Sequence, residues 1–531
     1  MPADLVIAGA HLWGHGTGDI GIRGGRFVPP DIGPRTEVIQ APGKTVVPGF
    51  QDAHLHTPFA GLNRLRVWLN DAATREECLQ IIADHAAEHP GTGWITGGGW
   101  AMPAFPGGTP RKEDLDAVVP DRPVFLFNRD VHGAWVNSRA LQVAGITASS
   151  PDPVDGRIER DPVTGDPTGT LHEGAAYWVN EHIVPQPSQA EWEAAILSGQ
   201  AHLHALGITG WQDAWVTPDT QRAYLGLAAG GRLTARVVAA LWWDRHRGLE
   251  QIDELLARRE LSGHGFLPTT VKIMVDGVLE NYTGALLEPY CDGCGGHTGE
   301  RGISYVDPEL LNAALTRLDA EGFQVHMHAI GDRAVRMALD AVSVARAANG
   351  TSDNRHHIAH LQVVQPEDVP RFAELGVTAN LQMYWASSDD QMTDLTIPNL
   401  GPDRADLQYP FASLARSGAR LAMGSDWSVS TANPLAQIEV GATRIDPSDR
   451  DAAPFLPGER IAVATGIEAF TAGSAYVNHD ADGGRLDVGA RADLVLLGAD
   501  LTRGELAAGP GLADVPIELT VAAGRIVHEA L

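Results

Sequence analysis

Short apolar runs separated by Gly and Pro turns occur at both ends of the chain, a pattern typical of β-strands. Near the N-terminus, the predicted strands are Leu5–Ala8, Ile20–Ile22, Val38–Gln40 and Thr45–Val47. Near the C-terminus, they are Asp493–Leu497, Pro516–Ala522 and Arg525–His528. Because chain termini often lie close together in space, we expect residues 1–50 and 476–531 to form one small β-domain.

Between residues 51 and 475, β-rich runs alternate with amphipathic segments of helical length. The predicted strands are Ala235–Trp243, Thr270–Val275, Gln324–His328, His357–His360, Val377–Leu381 and Arg420–Met423. The predicted helices include Pro308–Ala320, Arg333–Ala348 and Pro366–Leu375. This alternation indicates parallel strands covered by helices. A (β/α)8 barrel is favoured because candidate catalytic groups recur at strand ends, and a doubly wound sheet is the alternative.

The segment from about residue 75 to 175 interrupts this alternation. It is rich in Gly, Pro and Asp, as in Gly97–Gly99 and Ser150–Pro153. Such a composition is typical of loops, so we expect an insertion near the mouth of the barrel.

Composition limits the function classes. A chain of 531 residues exceeds the usual size of one hydrophobic core, so we expect two domains or one barrel with an accessory domain. Hydrophobic residues make up 44% and charged residues 20%, as in ordinary globular enzymes. The net charge of −28 excludes nucleic acid and anionic membrane surfaces as favoured partners, because both would be repelled.

The cysteine content favours a reducing compartment. Three cysteines, Cys78, Cys291 and Cys294, cannot form a disulfide framework. A zinc ribbon at Cys291 and Cys294 is disfavoured because no second cysteine pair exists. The N-terminus has no basic leader pattern, and no apolar run reaches the length of a membrane span. We therefore expect a cytoplasmic protein.

The most informative motif is the pair His54 and His56, which follows the apolar run Thr45–Val47 and the segment Pro48–Ala53. Residues i and i+2 of a strand project to the same face, so both imidazoles can face one cation. Imidazole is a common zinc ligand. The pair predicts a metal site, although two histidines near a strand end are also ordinary polar loop residues when no other ligand accompanies them.

Lys272 interrupts the apolar strand Val271–Val275. Burying an ammonium group is costly, so this lysine either pairs with an acid or holds a neutral amine. A neutral amine can add CO2 to form a carbamate, which is an anionic oxygen ligand able to bridge two divalent ions. Lys272 is therefore a candidate ligand in carboxylated form.

Three later strand ends supply further ligand types. In the run Gln324–Asp332 we expect His328, beside a glycine turn, to be the ligand, and His326 is equally a polar group one pleat deeper. His360 ends the following strand, and Asp426 follows an apolar strand. Each alone is more often structural, and an isolated Asp at such a position is commonly a helix cap. Their recurrence at successive strand ends makes them candidate metal ligands.

The order His-x-His, Lys, His, His, Asp resembles that of the amidohydrolase superfamily of metal-dependent hydrolases. Longer segments resemble the branch that includes the N-substituted formamide deformylases; they are Val47–Phe50, Lys272–Gly277, His328–Ala334, Gly424–Trp427 and Asp130–Ser138. The resemblance spans nearly the whole chain. It implies an α/β fold in which a (β/α)8 TIM barrel stands beside a small β-sandwich built from both chain ends.

The resemblance also implies a metal centre holding one or two divalent ions, with zinc expected. The implied ligands are His54, His56, Lys272, His328, His360 and Asp426. With two ions, the first histidine pair and Asp426 hold one ion, the later histidines hold the other, and carboxylated Lys272 bridges them. A one-ion site would omit Lys272 and His360.

The implied reaction is hydrolysis of a C–N bond of amide or formamide type by metal-activated hydroxide. Asp426 is expected to move the proton to the leaving nitrogen, and Lys272 and His360 complete the catalytic set. One departure from the resemblance is Ala359, where many relatives have Glu before the strand-six histidine. We expect the missing carboxylate to change the hydrogen bonding that orients that imidazole or the substrate specificity.

Polar and aromatic side chains in loops expected at the barrel mouth predict a pocket for a small-molecule substrate. They are Trp100, His132, Asn281, Tyr282, Tyr384, Trp385 and Trp427. Such aromatics are more often core or domain contacts. A deaminase of a cyclic amidine and a catalytically silent metal-binding relative are the alternative functions, and a homodimer is a possible assembly.

Overall fold

A computed structural model describes residues 1–291 and 296–531, which form 22 β-strands. The strands are β1 (Leu5–Leu12), β2 (Gly16–Arg23), β3 (Arg26–Val28), β4 (Glu37–Gln40), β5 (Thr45–Pro48), β6 (Phe50–Leu55), β7 (Val67–Trp68), β8 (Ile95–Trp100), β9 (Val124–Asn128), β10 (Gly133–Val136), β11 (Gly156–Arg160), β12 (Pro167–Glu173), β13 (Ile208–Val216), β14 (Arg236–Trp242), β15 (Phe266–Met274), β16 (Gln324–Ala329), β17 (His357–His360), β18 (Thr378–Leu381), β19 (Leu421–Met423), β20 (Leu494–Leu497), β21 (Ile517–Ala522) and β22 (Arg525–Glu529).

The α-helices follow the same chain order. They are α1 (Thr57–Arg64), α2 (Arg75–Glu88), α3 (Lys112–Val118), α4 (Ser138–Ala144), α5 (Gly174–His182), α6 (Gln189–Ala205), α7 (Pro218–Ala229), α8 (Ile252–Arg259), α9 (Pro308–Ala320), α10 (Asp332–Asn349), α11 (Val369–Leu375), α12 (Ile397–Leu400), α13 (Pro402–Ala405), α14 (Phe411–Arg416), α15 (Pro434–Thr443), α16 (Val463–Glu468) and α17 (Ser474–Val477).

Eight parallel strands, β6 and β13 to β19, form a nearly closed barrel in chain order. Beyond the strand ends, the backbone N–H of Asp426 donates to the carbonyl of His54 at 2.8 Å, which ties the first strand to the last. The predicted (β/α)8 barrel is therefore confirmed, and the doubly wound sheet is excluded.

The barrel strands are buried on both faces, as parallel strands beneath a helical layer must be. Every residue of β16, β17 and β18 is buried. The apolar side chains of these strands join the helices in one large core, in which Val325 and Ile358 pack near Leu315 and Val342. Polar residues within such strands therefore have to find partners inside the barrel.

A second sheet joins strands from both chain ends in the order β22-β21-β20-β5-β1-β2-β3, with β4 beside β1. Its apolar face has a core of its own, which includes Ile7, Val46, Leu494 and Val521. The accessory β-structure at the termini is thus present, as the fold prediction required.

The strand that leads to the first histidine pair differs from the prediction. Thr45–Pro48 belongs to the terminal sheet, where it pairs with β20, and the barrel strand is the separate β6. Gly49 is the single residue between them. A Cβ atom there would lie 2.5 Å from Thr209 Oγ1, so the close approach of β13 requires glycine at this point.

The barrel strand β13 was not predicted from the sequence. Its run Ile208–Val216 contains Gly210, Gln212 and Asp213, which break the apolar pattern. Both polar side chains are fully buried and hydrogen-bonded: Gln212 Nε2 donates to Gln324 Oε1, and Tyr224 OH donates to Asp213 Oδ2. Partners distant in the sequence therefore compensate for the polarity of this strand.

The segment predicted as an insertion contributes five strands, β8 to β12, to a six-stranded sheet in the order β11-β12-β10-β9-β8-β7, and β7 precedes the segment. Side chains of β9 alternate between two cores, with Val124 and Leu126 on one face and Phe125 and Phe127 on the other. This period of two is the mark of a strand buried on both sides.

Cys78 is buried and Cys291 is half-buried, and neither forms a disulfide among the described residues. Cys294, which with Cys291 makes the pattern for which a zinc ribbon was disfavoured, lies outside the described residues. No helix in the described ranges is long and apolar enough to cross a membrane.

Candidate metal centre

Two imidazoles and a carboxylate converge where the first and last barrel strands meet. His54 lies near the end of β6, His56 lies just beyond it, and Asp426 follows β19. The Nε2 atoms of His54 and His56 lie 3.3 Å and 3.0 Å from Asp426 Oδ1. The three ligand atoms all lie within 4.8 Å of one another. These three residues are called the donor group below.

Unpaired polar atoms mark this point. His56 Nδ1, His360 Nδ1 and Asp426 Oδ1 are buried without a hydrogen-bond partner among the described residues. Burying an ionised carboxylate oxygen in this way is costly. Two ligands of one tetrahedral zinc ion, each about 2.0–2.1 Å from the metal, are about 3.3 Å apart. The observed separations match that value, so the donor group fits a divalent cation.

Burial sets the protonation states that such a cation requires. Burial lowers the pKa of His54 to about 3, so this imidazole is neutral at pH 7. Burial opposes the ionisation of Asp426, but the contacts with His54 and His56 outweigh it and hold the pKa of that carboxyl well below its usual range. A neutral imidazole beside a carboxylate has the charge state that metal binding needs.

Lys272 lies in β15 and lines the same cavity as the donor group. The residue is 1% exposed. Burial lowers the pKa of its amine to about 7, against the opposing influence of Asp426. A large fraction of the side chain is therefore neutral near pH 7, which is the form that reacts with CO2.

The later histidines lie beside the donor group. The rings of His328 and His360 are 4.4 Å apart between centroids, and the ring of His360 is 4.7 Å from that of His54. His328 Nε2 donates to the carbonyl of Gly277 at 3.1 Å, which leaves Nδ1 as the lone-pair atom. His360 Nδ1 lies 3.8 Å from Asp426 Oδ2. The structure thus brings the six predicted ligands to one end of the barrel.

The insertion contributes a charged pair, of which His132 lines the same cavity. His132 Nδ1 lies 3.0 Å from both carboxylate oxygens of Glu173, and its ring lies 5.6 Å from that of His328. Burial opposes the charge on His132, but Glu173 raises the pKa of this imidazole to about 9. Burial likewise opposes the ionisation of Glu173, but His132 lowers the pKa of this carboxyl to about 2. The pair is therefore ionised at neutral pH.

Three of these residues have left-handed backbone conformations that non-glycine residues rarely adopt. The φ angles are 81° at His360, 54° at Asp426 and 51° at Glu173. Such conformations are strained and persist where surrounding contacts hold them. His360 and Asp426 line the cavity, and Glu173 contacts the cavity residue His132, which supports a functional role for all three residues.

The cavity above the donor group has a volume of about 870 Å³. One wall is aromatic and is made by Phe59, Tyr177, Trp178, Trp215, Trp242 and Trp385. Trp385 stacks on His360 with ring centroids 5.2 Å apart and an interplanar angle of 2°. At the rim, Arg245 pairs with Asp155 of the insertion at 2.5 Å. A mostly apolar cavity with a few polar groups is typical of a small-molecule site.

Of the residues predicted to contact substrate, His132 and Trp385 line this cavity. Tyr384 and Trp427 instead line a neighbouring cavity of about 380 Å³, which Trp385 also borders.

The other three residues do not line the larger cavity. Trp100 is buried in the insertion core, where Nε1 donates to the carbonyl of Leu126. Asn281 is buried, and its Nδ2 faces Glu173 Oε1. Tyr282 is 39% exposed and packs on Tyr290. Sequence position alone placed these loops too close to the mouth.

Sequence reasoning missed several residues that line the cavity or contact a residue that lines it. Trp215 lies in the unpredicted strand β13, and Trp242 lies in a predicted strand that was treated as structural. Glu173 ends β12 directly before α5, so an acid at a strand end was the signal available for it. Its partner His132 is 41 residues away in the chain, which the sequence pattern does not reveal.

The chain is similar to curated proteins over most of its length. It is 33% identical over 479 residues to Protein LONG AFTER FAR-RED 3 of Arabidopsis thaliana, covering 88% of this chain and 80% of that protein. It is 27% identical over 482 residues to N-substituted formamide deformylase of Arthrobacter pascens, covering 88% and 86%.

A solved structure is also similar. An uncharacterized metal-dependent hydrolase from Pyrococcus furiosus superposes with a TM-score of 0.69 at 26% identity, covering 94% of this chain and 99% of that one. The model of the amidohydrolase family matches residues 37–528. A match of that length, on a barrel with this donor group, shows that the chain belongs to the amidohydrolase family, as its motifs predicted.

Proposed function

We propose that this protein is a metal-dependent hydrolase of C–N bonds of amide or formamide type. The observation that carries the proposal is the buried donor group, in which Asp426 Oδ1 faces two imidazoles and has no hydrogen-bond partner among the described residues. The similarity to an N-substituted formamide deformylase supports the choice of bond.

The expected cation is zinc, with one or two ions per chain, because neutral histidines and carboxylates suit that metal. His54, His56 and Asp426 would hold the first ion, and His328, His360 and carboxylated Lys272 would complete a two-ion site. When bound, the metal supplies an acidified water ligand and polarises the scissile carbonyl.

Asp426 has the position of a proton shuttle. Its Oδ1 faces the first histidine pair, and its Oδ2 lies 3.8 Å from His360 Nδ1. A carboxylate held ionised at this point accepts the proton of the attacking water and passes it to the leaving nitrogen. Transfer to nitrogen completes C–N cleavage because it converts a poor leaving group into an amine.

His132 faces the donor group from the insertion. Its charge, stabilised by Glu173, suits a hydrogen bond to the carbonyl oxygen or to the carboxylate product. Thr283 Oγ1 donates to Glu173 Oε1 at 2.8 Å, which fixes the carboxylate behind the imidazole. The aromatic wall would take the apolar substituent on the substrate nitrogen and exclude water around the reacting bond.

The remaining expectations follow from composition. The net charge of −28 favours a small-molecule substrate over nucleic acid. The free cysteines are consistent with the cytoplasm as the compartment. Size-exclusion chromatography with light scattering decides between a monomer and a homodimer.

The test is release of formate or amine from N-substituted formamides, N-acyl amines and cyclic amides, with metal content measured on the same sample. We expect turnover of at least one linear amide or formamide and loss of activity on chelation that zinc restores. Ammonia release from a cyclic amidine without amide turnover would favour a deaminase. Full activity in metal-free protein would overturn the proposal.

A further inference from the structure

A second set of polar side chains lies deeper in the barrel, beneath the donor group. Gln212, Gln324, His326 and His357 are at most 1% exposed and come from three barrel strands, β13, β16 and β17. All are uncharged amides or imidazoles. Their hydrogen bonds form a continuous chain that reaches His54. The donor and the acceptor of each bond can therefore be assigned in turn, starting from one residue whose orientation is fixed.

The starting point is Gln324. Its Nε2 lies 2.7 Å from the carbonyl of Arg355 and 2.9 Å from the carbonyl of Val477. Carbonyl oxygens only accept hydrogen bonds, so the atom facing them is the amide nitrogen. Gln324 Oε1 is then the acceptor, and Thr270 Oγ1 donates to it at 2.6 Å.

The orientation of Gln324 fixes the orientation of the Gln212 amide. Its Nε2 donates to Gln324 Oε1 at 3.0 Å. The Gln212 Oε1 atom must therefore accept, and two imidazole nitrogens face it: His326 Nδ1 at 2.7 Å and His357 Nε2 at 3.0 Å. Both of these nitrogens carry protons.

The tautomer of His326 determines which atom donates in its hydrogen bond with His54 of the donor group. A neutral imidazole with its proton on Nδ1 has a lone pair on Nε2. That Nε2 lies 2.8 Å from His54 Nδ1, so His54 is the donor in this bond. A cationic His326 would reverse the bond, but it would bury a charge whose two hydrogen-bond partners, His54 and Gln212, are both neutral.

We infer that Gln324, Gln212 and His326 are positioning residues that hold His54 in the tautomer with its proton on Nδ1 and its lone pair on Nε2, facing the cation site. The inference rests on the proposed role of His54 as a metal ligand. Partners behind a ligating histidine commonly fix its tautomer and ring orientation. Here the direction is set by two backbone carbonyls, without any carboxylate in the relay.

The first test is Gln212→Glu, with zinc as the probe in competition with a chelator. A carboxylate at this position stabilises a cationic His326, whose Nε2–H would donate to His54 Nδ1 and move the His54 proton to Nε2. We expect zinc affinity to fall about ten- to hundredfold, the usual effect of changing such a partner. Gln408→Glu is the matched control, because Gln408 is also fully buried and lies in a hydrogen-bonded glutamine pair with Gln362.

The second test avoids a buried charge. His326→Gln can keep the order of acceptor towards His54 and donor towards Gln212, whereas His326→Leu removes both. We expect the glutamine variant to keep most of the zinc affinity and the leucine variant to lose about ten- to hundredfold. Equal affinities in the two variants, at equal thermal stability, would show that only packing matters and would overturn the inference.

The third readout is spectroscopic. In full-length protein labelled with [15N]histidine and stripped of metal, His54 should show a protonated Nδ1 and a bare Nε2, and Gln212→Glu should reverse that pattern. A His54 protonated on Nε2 in the parent protein would overturn the relay. Failure of the parent to bind zinc would instead overturn the proposed function, so the two failures are distinguishable.

Discussion

Two layers of polar side chains fill the interior of the barrel, and they differ in hydrogen bonding. The upper layer, at the carboxyl ends of the strands, includes His56, His360 and Asp426, each with a buried atom that lacks a partner among the described residues. The lower layer includes Gln212 and Gln324, whose amide atoms all have described partners. Both layers are buried and rich in histidine.

The two histidines of the motif His326-x-His328 lie in different layers. His328 lines the cavity, whereas His326 lies one layer deeper and contacts His54 and Gln212. Burial and residue type therefore do not separate a ligand from its support. The hydrogen bonds distinguish the candidate ligand from its support, because a group whose hydrogen bonds are all made has no free lone pair to give to a cation.

The largest expected effect is that of Lys272→Ala in the upper layer. We expect activity to be abolished, because the proposed carbamate ligand is lost, and we expect partial rescue by added short carboxylic acids. Steady-state kinetics and zinc analysis with and without acetate measure both effects. Lys112→Ala is the control, because Lys112 Nζ only caps the carbonyl of Pro167. Full turnover and full metal content in Lys272→Ala would refute the role.

Asp426→Asn separates proton transfer from metal binding. The amide keeps the size and one oxygen but cannot accept a proton, so we expect kcat to fall at least about a hundredfold while much of the zinc remains. Asp426→Ala should lose the zinc as well. The exposed residue Asp121 provides the control Asp121→Asn. If Asp426→Asn turned over amides at the parent rate, the proton-shuttle assignment would be wrong and the base would have to be sought elsewhere.

Asp319→Asn tests the hydrogen bonds that support the lower layer. Asp319 Oδ1 accepts from Ser352, Asn354 and His356, and Oδ2 accepts from Asn349. These bonds hold the loop that carries the Arg355 carbonyl. In Asp319→Asn, an amide NH2 group replaces one carboxylate oxygen, so it faces a hydrogen-bond donor instead of accepting from it. We therefore expect a loss of about 1–3 kcal/mol in the free energy of unfolding, without a change in the residues of the proposed active site.

This effect should depend on pH with a defined sign. Burial opposes the ionisation of Asp319, but the bonds from His356 and its neighbours outweigh it and keep the pKa of this carboxyl below its usual range. A lowered pKa in the folded state stabilises the fold above the unfolded pKa of about 3.9. The stabilisation is lost as pH falls below that value. Thermal unfolding should therefore show the difference between parent and variant narrowing at acid pH, and a difference independent of pH would contradict this. The exposed Asp451 is the control site.

The smallest expected effect is that of Thr270→Val. It removes one donor to Gln324 Oε1 but leaves the bond from Gln212. We expect a loss of about 1 kcal/mol in stability, with zinc affinity unchanged. Thr378→Val is the matched control, because Thr378 is a buried barrel residue whose hydroxyl has no partner among the described residues. A large loss of zinc affinity in Thr270→Val would mean that the relay depends on more than its two anchoring carbonyls.

The sequence predicted the parts of the barrel that follow a local rule. Strands such as Leu421–Met423 are short apolar runs, and candidate ligands such as Asp426 follow their carboxyl ends, where parallel strands meet. The helix Pro308–Ala320 matched its prediction because its start and its periodicity are both local signals.

The parts that failed depend on contacts between distant residues. Strand β13 was hidden because Gln212 and Asp213 resemble loop residues until their partners are known. The pairing of His132 with Glu173 joins a loop of the insertion to the end of β12. Trp100 was expected at the cavity, but its packing against Phe105 and Trp135 is a property of the folded sheet.

Gly49 gives the metal centre a dependence on the order of synthesis. It joins β5 of the terminal sheet to β6, which carries His54, and its N–H donates to the carbonyl of Asp493 at 2.8 Å. The partners of β5 are β1, which precedes it in the chain, and β20, which follows all the barrel strands. Since chains are made from the N-terminus onward, the edge of β5 that faces β20 stays unpaired until the barrel strands have been made. We therefore expect metal loading to follow synthesis of β20, and a chain that stops before β20 to bind metal poorly even though it contains every proposed ligand.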